Sequence, residues 1–231
     1  MIPESRESEP SDPNTNHRYR LIAIPLNYPK LKDVSCTEGS VSGALDRLSD
    51  LKKPPEEIFH RGVSISELDF ADSVAIVGSR EVSEEGLIAA FDLGKRIAEE
   101  GRIVVSGLAL GIDTAAFEGA LSSNGVCVAV LPSGVDKVYP MSNEALANRI
   151  LREGGSIVSE YPDGTAPRRF RFIDRNRIIA ALSDAVVLCE ARPNGGAWHT
   201  VRTSWLLGRE TLLLGDDGET RPLEDPQGKL F

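Results

Sequence analysis

Residues 74–116 read VAIVGSREVSEEGLIAAFDLGKRIAEEGRIVVSGLALGIDTAA, and their pattern predicts the fold class of the chain. An apolar run rich in β-branched residues ends in Gly-Ser-Arg, an amphipathic segment follows, and a second such run ends in Ser-Gly. Ser83 is a predicted N-cap for a helix over residues 84–100, and Gly101 supplies its left-handed end. The order strand, loop, helix, strand is that of a βα unit with two parallel strands.

Apolar, β-branched runs recur along the chain at the spacing of one βα unit. They begin near residues 74, 102, 126, 156, 185 and 211. Because parallel strands need a crossover between them, helices are expected to cover the sheet. The pattern predicts the α/β class, with a doubly wound, mostly parallel sheet and helices on both faces. Asp113 is a predicted cap for the helix that ends at Asn124-Gly125, and Ser142 for the helix that ends at Gly154-Gly155.

Composition changes divide the chain into four predicted regions. These are a disordered acidic tail at residues 1–16, an N-terminal extension packed on the core at 17–70, the βα domain at 71–214 and a loose acidic tail at 215–231. Within the extension we expect strands at 19–24 and 58–62 and a short helix within 39–50, because Gly, Ser and Pro clusters separate these stretches.

The formal charge of −9 over 231 residues is unevenly distributed. Residues 1–16 carry −3 and residues 210–231 carry −4, which leaves −2 for the stretch between them. Net charge therefore does not exclude an anionic partner, since a local basic patch can bind one. No apolar run approaches the roughly 20 residues of a membrane helix, and residues 1–16 have no apolar core typical of a signal peptide.

The three cysteines, Cys36, Cys127 and Cys189, form no CxxC pair. Two of them lie in predicted strands, where a thiol behaves as a small buried apolar group. This usage is typical of a reducing compartment, and we expect a cytoplasmic protein without membrane attachment.

Glycine-containing loops follow several of the predicted strands. In an open parallel sheet these loops meet at one edge, where ligands bind. Glycines let the backbone approach an oxyanion, and helix N-termini offer N–H groups to it. No GxGxxG or GxxxxGK[ST] motif occurs, so we predict a phosphate-binding crevice of another kind. Its predicted residues in these loops are Gly78, Ser79, Arg80, Ser106, Gly107, Gly111, Gly195, Gly196 and Thr200.

The strongest local signal is RRFRFIDRNR at residues 168–177, with five arginines and one aspartate. Arginines bind phosphates and exposed aromatic rings stack on unpaired bases, so the segment favours single-stranded nucleic acid. The alternative is a solvated charge run whose Phe170 or Phe172 packs in the core. The predicted binding residues of this segment are Arg168, Arg169, Phe172, Arg175, Asn176 and Arg177.

Arg175 and Arg177 are expected to open a helix, where two cations oppose the helix dipole. That placement predicts either an anionic ligand or an ion pair with an acid such as Glu160 or Asp113.

The sequence contains no convincing catalytic constellation. His17, His60 and His199 are scattered, without an HExxH motif or zinc spacing. We therefore predict no catalytic residues, no metal and no cofactor, and a protein that is not an enzyme.

From about residue 54 to residue 209 the sequence resembles the DprA/Smf DNA-processing proteins. The ordered motifs that carry this resemblance are VAIVGSR at 74–80, VVSGLALGIDTAA at 104–116, VAVLPSGVDKVYP at 128–140, IVSEYP at 157–162, PRR at 167–169, RNRIIAALS at 175–183 and AVVLCEA at 185–191. The resemblance implies an extended Rossmann-like fold for residues 71–214, usually dimeric. It implies that Arg80 and Arg169 bind phosphates and that Phe172 stacks on a base.

Two functions follow from the resemblance. The first is that of a single-stranded DNA-binding protein that protects DNA and helps to load a RecA-type recombinase during DNA uptake and transformation. The second is nucleotide binding or hydrolysis, as in the wider superfamily that includes the LOG phosphoribohydrolases. Those enzymes carry a glutamate after a Pro-Gly-Gly-x-Gly-Thr loop, whereas no carboxylate lies between Thr200 and Gly208 here. Glycosidic cleavage needs such an acid, so DNA binding is the preferred hypothesis.

Overall fold

The computed structural model describes the backbone of residues 24–25 and all of residues 43–193, 195–215 and 217–224. Its strands are β1 Ile24–Pro25, β2 Glu57–Gly62, β3 Val74–Gly78, β4 Val104–Ser106, β5 Cys127–Val130, β6 Ser156–Ser159, β7 Ala185–Cys189, β8 Glu210–Leu214 and β9 Thr220–Pro222. Its α-helices are α1 Ala44–Ser49, α2 Glu84–Glu99, α3 Ile112–Ser122, α4 Glu144–Arg152, α5 Arg169–Ala181 and α6 Ala197–Leu206, and a 3-10 turn spans Met141–Asn143.

The described strands form one sheet in the order β1-β2-β6-β5-β4-β3-β7-β8-β9. The six strands from β6 to β8 are parallel, β1 and β2 add antiparallel strands at one edge, and β9 adds one at the other. The predicted α/β, extended Rossmann-like, mostly parallel sheet is confirmed. Strand β3 lies between β4 and β7, so the chain reverses its direction of winding there, and a crevice opens at such a point.

Both faces of the sheet are buried under helices. Val74 and Ile76 on β3 pack with side chains of α2, α3 and α4, whereas Ala75 and Val77 on the same strand pack with those of α1, α5 and α6. Alternate residues of a strand point to opposite faces, so a strand covered on both sides reads as an uninterrupted apolar run. This two-sided burial explains why the sequence of residues 74–77 shows no alternation.

The helix boundaries confirm some predicted caps and correct others. Ser83 caps α2, and its hydroxyl accepts the N–H of Gly86 at 3.0 Å. Asp113 does not cap α3, whose N-cap is Gly111. Ser142 lies within the 3-10 turn, and Asn143 takes the N-cap position of α4. Asp113 instead lies inside the first turn, where its carboxylate accepts two backbone N–H groups of the preceding loop.

The structure also corrects two boundaries. Helix α5 begins at Arg169, so Arg175 and Arg177 lie in its middle and do not open it. The loose C-terminal tail predicted from residue 215 is wrong for β9, which pairs with β8. Leu223, just beyond β9, accepts the indole N–H of Trp205 at 3.1 Å, which anchors this segment to α6.

The predicted helix within residues 39–50 is confirmed by α1, and the strand at 58–62 by β2. The acidic tail at residues 1–16, His17, most of the predicted strand at 19–24 and Cys36 lie outside the described residues. The division of the chain at residues 16, 70 and 214 stays a prediction. Among the described helices, none is long and apolar enough to cross a bilayer.

Candidate nucleic-acid interface

A crevice of about 810 Å³ lies at the carboxyl edge of the sheet, where β3 and β7 meet. The loops after these two strands form one wall, and the N-terminal halves of α5 and α6 form the other. Eleven of the predicted residues line it: Gly78, Ser79, Arg80, Arg168, Arg169, Phe172, Arg175, Asn176, Gly195, Gly196 and Thr200. The crevice therefore brings together loops and a basic helix that are distant in sequence.

Arg80 and Phe172 form a cation–aromatic pair at the crevice, in which Arg80 is the exposed member. The guanidinium of Arg80 lies 4.9 Å from the centre of the Phe172 ring, and Tyr139 contacts the same ring edge-to-face at 5.6 Å. Phe172 is half-buried and belongs to neither of the two core clusters of the described residues. The ring is thus placed in the crevice wall, and the core alternative for Phe172 is not supported.

Phe170 differs from both alternatives considered for it. Its side chain is 52% exposed, so it does not pack in the core. Phe170 is not among the residues that line the crevice, although it lies in the first turn of α5 beside Arg169.

Beneath the surface, Arg175 and Asn176 connect the walls. The buried guanidinium of Arg175 donates to the carbonyl of Val130 and, at 2.9 Å, to Oδ1 of Asn176. The amide of Asn176 donates to the carbonyl of Gly196 at 3.0 Å, which joins α5 to the start of α6. A side chain at Gly107 would overlap the Arg175 guanidinium, so Arg175 would have to move to admit one.

Asp113 and Arg175 place opposite charges under the crevice. Burial raises the pKa of Asp113, while the nearby Arg175 opposes that shift. Burial lowers the pKa of Arg175 to about 10, which leaves it protonated at neutral pH. The Asp113 carboxylate accepts the N–H groups of Gly107 at 3.1 Å and Ala109 at 3.2 Å, so it stabilises the loop after β4.

The N-terminus of α6 closes one end of the crevice. Gly196 has open space within 4 Å of where a side chain would start, so a ligand can approach its backbone. The hydroxyl of Thr200 is buried and has no hydrogen-bond partner among the described residues. The positive end of the helix dipole favours an anion at this position.

Four predicted residues do not line the crevice. Ser106 donates its hydroxyl to the carbonyl of Ile76 at 2.6 Å, and Gly107 contacts Arg175. Gly111 has a φ of 79° and packs on the backbone of residues 79–80 at the edge of a neighbouring groove. Arg177 forms an ion pair with Glu160 at 2.6 Å, which confirms one of the two predicted alternatives for that cation.

The crevice lining also includes residues that were not among the predicted binding residues, and Tyr139, Arg192 and His199 are the aromatic and basic side chains that could contact a ligand. Tyr139 comes from the loop after β5, and Arg192 and His199 come from the loop after β7 and the first turn of α6. Arg192 forms an ion pair with Glu81. Their position after parallel strands was the available signal, but their side-chain directions depend on tertiary packing. Within the described residues, no group of three or more His, Cys, Asp or Glu side chains could hold a metal ion.

Comparison with known proteins identifies relatives across most of the chain. The family model described as DNA recombination-mediator protein A matches residues 28–223. The putative DNA processing protein DprA of Mycobacterium tuberculosis is 44% identical over 137 residues, which are 59% of this chain and 35% of that protein. The chain therefore spans about a third of the length of this relative.

Two solved structures share the fold. The X-ray structure of DNA processing protein A from Streptococcus pneumoniae superposes with a TM-score of 0.69 and 30% identity, covering 86% of this chain and 64% of that one. DNA processing protein A from Helicobacter pylori, described for its single-stranded DNA binding mode, gives a TM-score of 0.67 and 26% identity over 86% of this chain and 82% of that one.

Proposed function

This chain belongs to the DNA recombination-mediator protein A family, the DprA/Smf proteins, and we propose that it binds single-stranded DNA in the crevice between β3 and β7. The observation that carries the proposal is the pair of the exposed Arg80 and the half-buried Phe172, with the Arg80 guanidinium 4.9 Å from the centre of the Phe172 ring. It combines a phosphate-binding cation with a stacking ring, the two groups that an unpaired nucleotide requires.

The surrounding charges support the same ligand. Arg168 and Arg169 are exposed at the start of α5 and line the crevice, while beneath it the buried charges of Arg175 and Asp113 oppose each other. Phe172 and Tyr139 form an aromatic wall, and a base can stack on it only if the face of that base is free. Since the bases of a duplex are already stacked, this wall favours single strands.

The biological role that we propose follows family membership. The protein protects single-stranded DNA and aids the loading of a RecA-type recombinase during DNA uptake, acting as a homodimer in the cytoplasm. We also propose that it is not an enzyme, because Thr203 occupies the position three after Thr200 and offers no carboxylate for glycosidic cleavage. The H. pylori relative, described as binding single-stranded DNA, supports the choice of ligand.

The test is fluorescence anisotropy with a labelled oligonucleotide, as a single strand and as a duplex of equal length. The single strand should bind more tightly than the duplex. For every tenfold rise in salt concentration, the logarithm of its binding constant should fall by about 0.7 for each contacted phosphate. Arg80→Ala and Arg169→Ala should each weaken binding and reduce the salt slope by roughly one contact. Equal affinity for the duplex, or binding independent of salt, contradicts the proposal.

Arg152→Ala is the matched control. Arg152 is an exposed arginine at the C-terminal end of α4, and it is not among the residues that line the crevice. Its removal should leave affinity and salt slope unchanged. Competition with nucleoside monophosphates tests the nucleotide-binding hypothesis, which requires a mononucleotide to displace the oligonucleotide efficiently and to be turned over.

A further inference from the structure

A second groove, of about 640 Å³, lies beside the crevice between α2 and α3. We call it the α2–α3 groove, and its apolar lining is Val82, Leu87, Ile88, Phe91, Leu110 and Ala115. Three of these side chains are strongly exposed: Leu87 by 38%, Ile88 by 56% and Leu110 by 46%. Adjacent exposed apolar side chains of this kind mark an interaction surface.

The border of the α2–α3 groove is acidic along the start of α2. At the end next to the crevice it is mixed in charge, because Arg80 and Glu81 both line it and Glu81 pairs with Arg192. Glu84 and Glu85 are exposed in the first turn of α2, and they share a helix face with Leu87 and Ile88 because residues three and four apart are neighbours. Such a border repels a phosphate backbone and attracts a basic partner with apolar side chains.

The same chain carries a surface of the complementary kind on α5. Phe170 and Ile173 lie three residues apart on one helix face and are 52% and 44% exposed. Arg169 and Arg171 flank Phe170, and the guanidinium of Arg171 lies 5.6 Å from its ring. Asp174 on the following turn reduces the positive charge of this face without reversing it. We call the surface formed by Phe170, Arg171 and Ile173 the α5 knob.

We propose that the α5 knob of one copy docks in the α2–α3 groove of a second copy. The two surfaces differ, so the contact is heterologous and leaves one free groove and one free knob in every pair. The groove adjoins the crevice through Arg80 and Glu81, and the knob adjoins it through Ile173. Successive copies therefore bring successive crevices near one another, which suits cooperative coverage of one strand.

Sedimentation velocity over a range of protein concentrations tests the contact without DNA. Ile88→Ser removes the centre of the groove, and Phe170→Ser removes the knob. Neither residue belongs to the crevice, so both variants keep the proposed DNA site. Leu206→Ser is the matched control, because Leu206 is 57% exposed on α6 and belongs to neither surface.

The wild type and Leu206→Ser should associate progressively beyond the proposed homodimer as concentration rises, and each of the other variants alone should stop at the homodimer. An equimolar mixture of Ile88→Ser and Phe170→Ser should recover association that neither shows alone, because one intact groove then meets one intact knob. The proposal is overturned if Phe170→Ser still associates like the wild type, if the mixture recovers nothing, or if the wild type shows no concentration-dependent step beyond the homodimer.

A DNA measurement, which rests on the proposed function, completes the test. On a long single strand the two variants should lose cooperativity, while their affinity for a strand that fits one crevice stays at the wild-type value. If Ile88→Ser weakens binding of the short strand without changing sedimentation, the groove holds bases and the proposal fails. Absence of short-strand binding by the wild type refutes the proposed function, while sedimentation still decides the contact between copies.

Discussion

At the scale of single residues, Phe172 shows how one ring can carry either stability or binding. Phenylalanine in a helix of an α/β protein is commonly a core residue, but here the ring lies between Tyr139 and Arg80 at the crevice. Phe117, on α3 at the other face of the sheet, is fully buried in the core. The difference between the two rings is their surroundings, because both are equally apolar.

Phe172→Ala should therefore reduce the affinity for single-stranded DNA by about 1–3 kcal/mol while leaving the salt slope unchanged. The reason is that a stacking surface is lost and no phosphate contact is removed. Anisotropy titrations at several salt concentrations measure both quantities, and thermal unfolding checks stability. Phe170→Ala serves as control, since that ring does not line the crevice and its loss should not affect binding of a short strand. A variant that unfolds at a much lower temperature yet binds normally would place Phe172 in the core.

At the scale of elements, α5 performs several roles along its 13 residues. Its first turn carries the exposed arginines, its middle carries the buried Arg175, and Ile178 and Ile179 pack in the core beneath the sheet. Arg177 leaves the crevice and joins α5 to the loop after β6 through Glu160. The side chains of that pair are only 20% and 13% exposed, so solvent screens the interaction weakly.

Arg177→Ala should lower the free energy of unfolding by about 1–3 kcal/mol, because it leaves the carboxylate of Glu160 poorly solvated and unpaired. Affinity for single-stranded DNA should remain within experimental error. A double-mutant cycle with Glu160→Gln, followed by urea unfolding, measures the coupling. The pair of Lys95 and Glu99 is the control, because both side chains are about half exposed and coupling there should be about 0.3–0.5 kcal/mol. If Arg177→Ala weakened DNA binding without lowering the free energy of unfolding, Arg177 would be a DNA-binding residue and the structural role would be wrong.

At the scale of the whole molecule, Cys127 and Cys189 lie on two central strands, and each is at most 1% exposed. Burial raises the pKa of the Cys127 thiol, and it raises the pKa of Cys189 to about 12. Both thiols become accessible only when the sheet itself unfolds, so their ionisation reports on the stability of the whole domain.

Above about pH 8.5 the thiols of the unfolded chain lose protons while those of the native chain keep them. The native state then binds more protons, so stability falls as pH rises, with a slope approaching about 1.4 kcal/mol per pH unit for each thiol. Urea unfolding under reducing conditions at a series of alkaline pH values measures this slope. In a Cys127→Ala/Cys189→Ala double variant the decline should be shallower. Equal slopes in the two proteins would mean that the thiols already ionise in the native state.

The architecture could be predicted from the sequence because it depends on local patterns. The spacing of apolar runs, the cap at Ser83 and the left-handed Gly101 are each contained within a few residues, and they predict the βα units whose strands form the parallel sheet. The same patterns place the loops after β3 and β7 at one edge, which is why eleven predicted residues line the crevice. The start of α5 was misplaced because its N-cap, Arg168, makes no side-chain capping bond among the described residues, so no capping signal was present.

Local patterns in the amino-acid sequence are sufficient to predict the succession of strands and helices and the edge of the sheet where a ligand can bind. The partner of each polar side chain, in contrast, depends on how these elements pack together. Glu190 accepts the hydroxyl of Ser83 from 107 positions away, and Arg47 pairs with Asp184 from 137 positions away. Arg177 pairs with Glu160, whereas Arg80 lies over Phe172. Nothing in the sequence around Arg47, Arg80 and Arg177 distinguishes these different roles. The physical reason is that hydrogen bonds and ion pairs act over a few ångströms in space, and distances of that size are set by how the helices pack on the sheet.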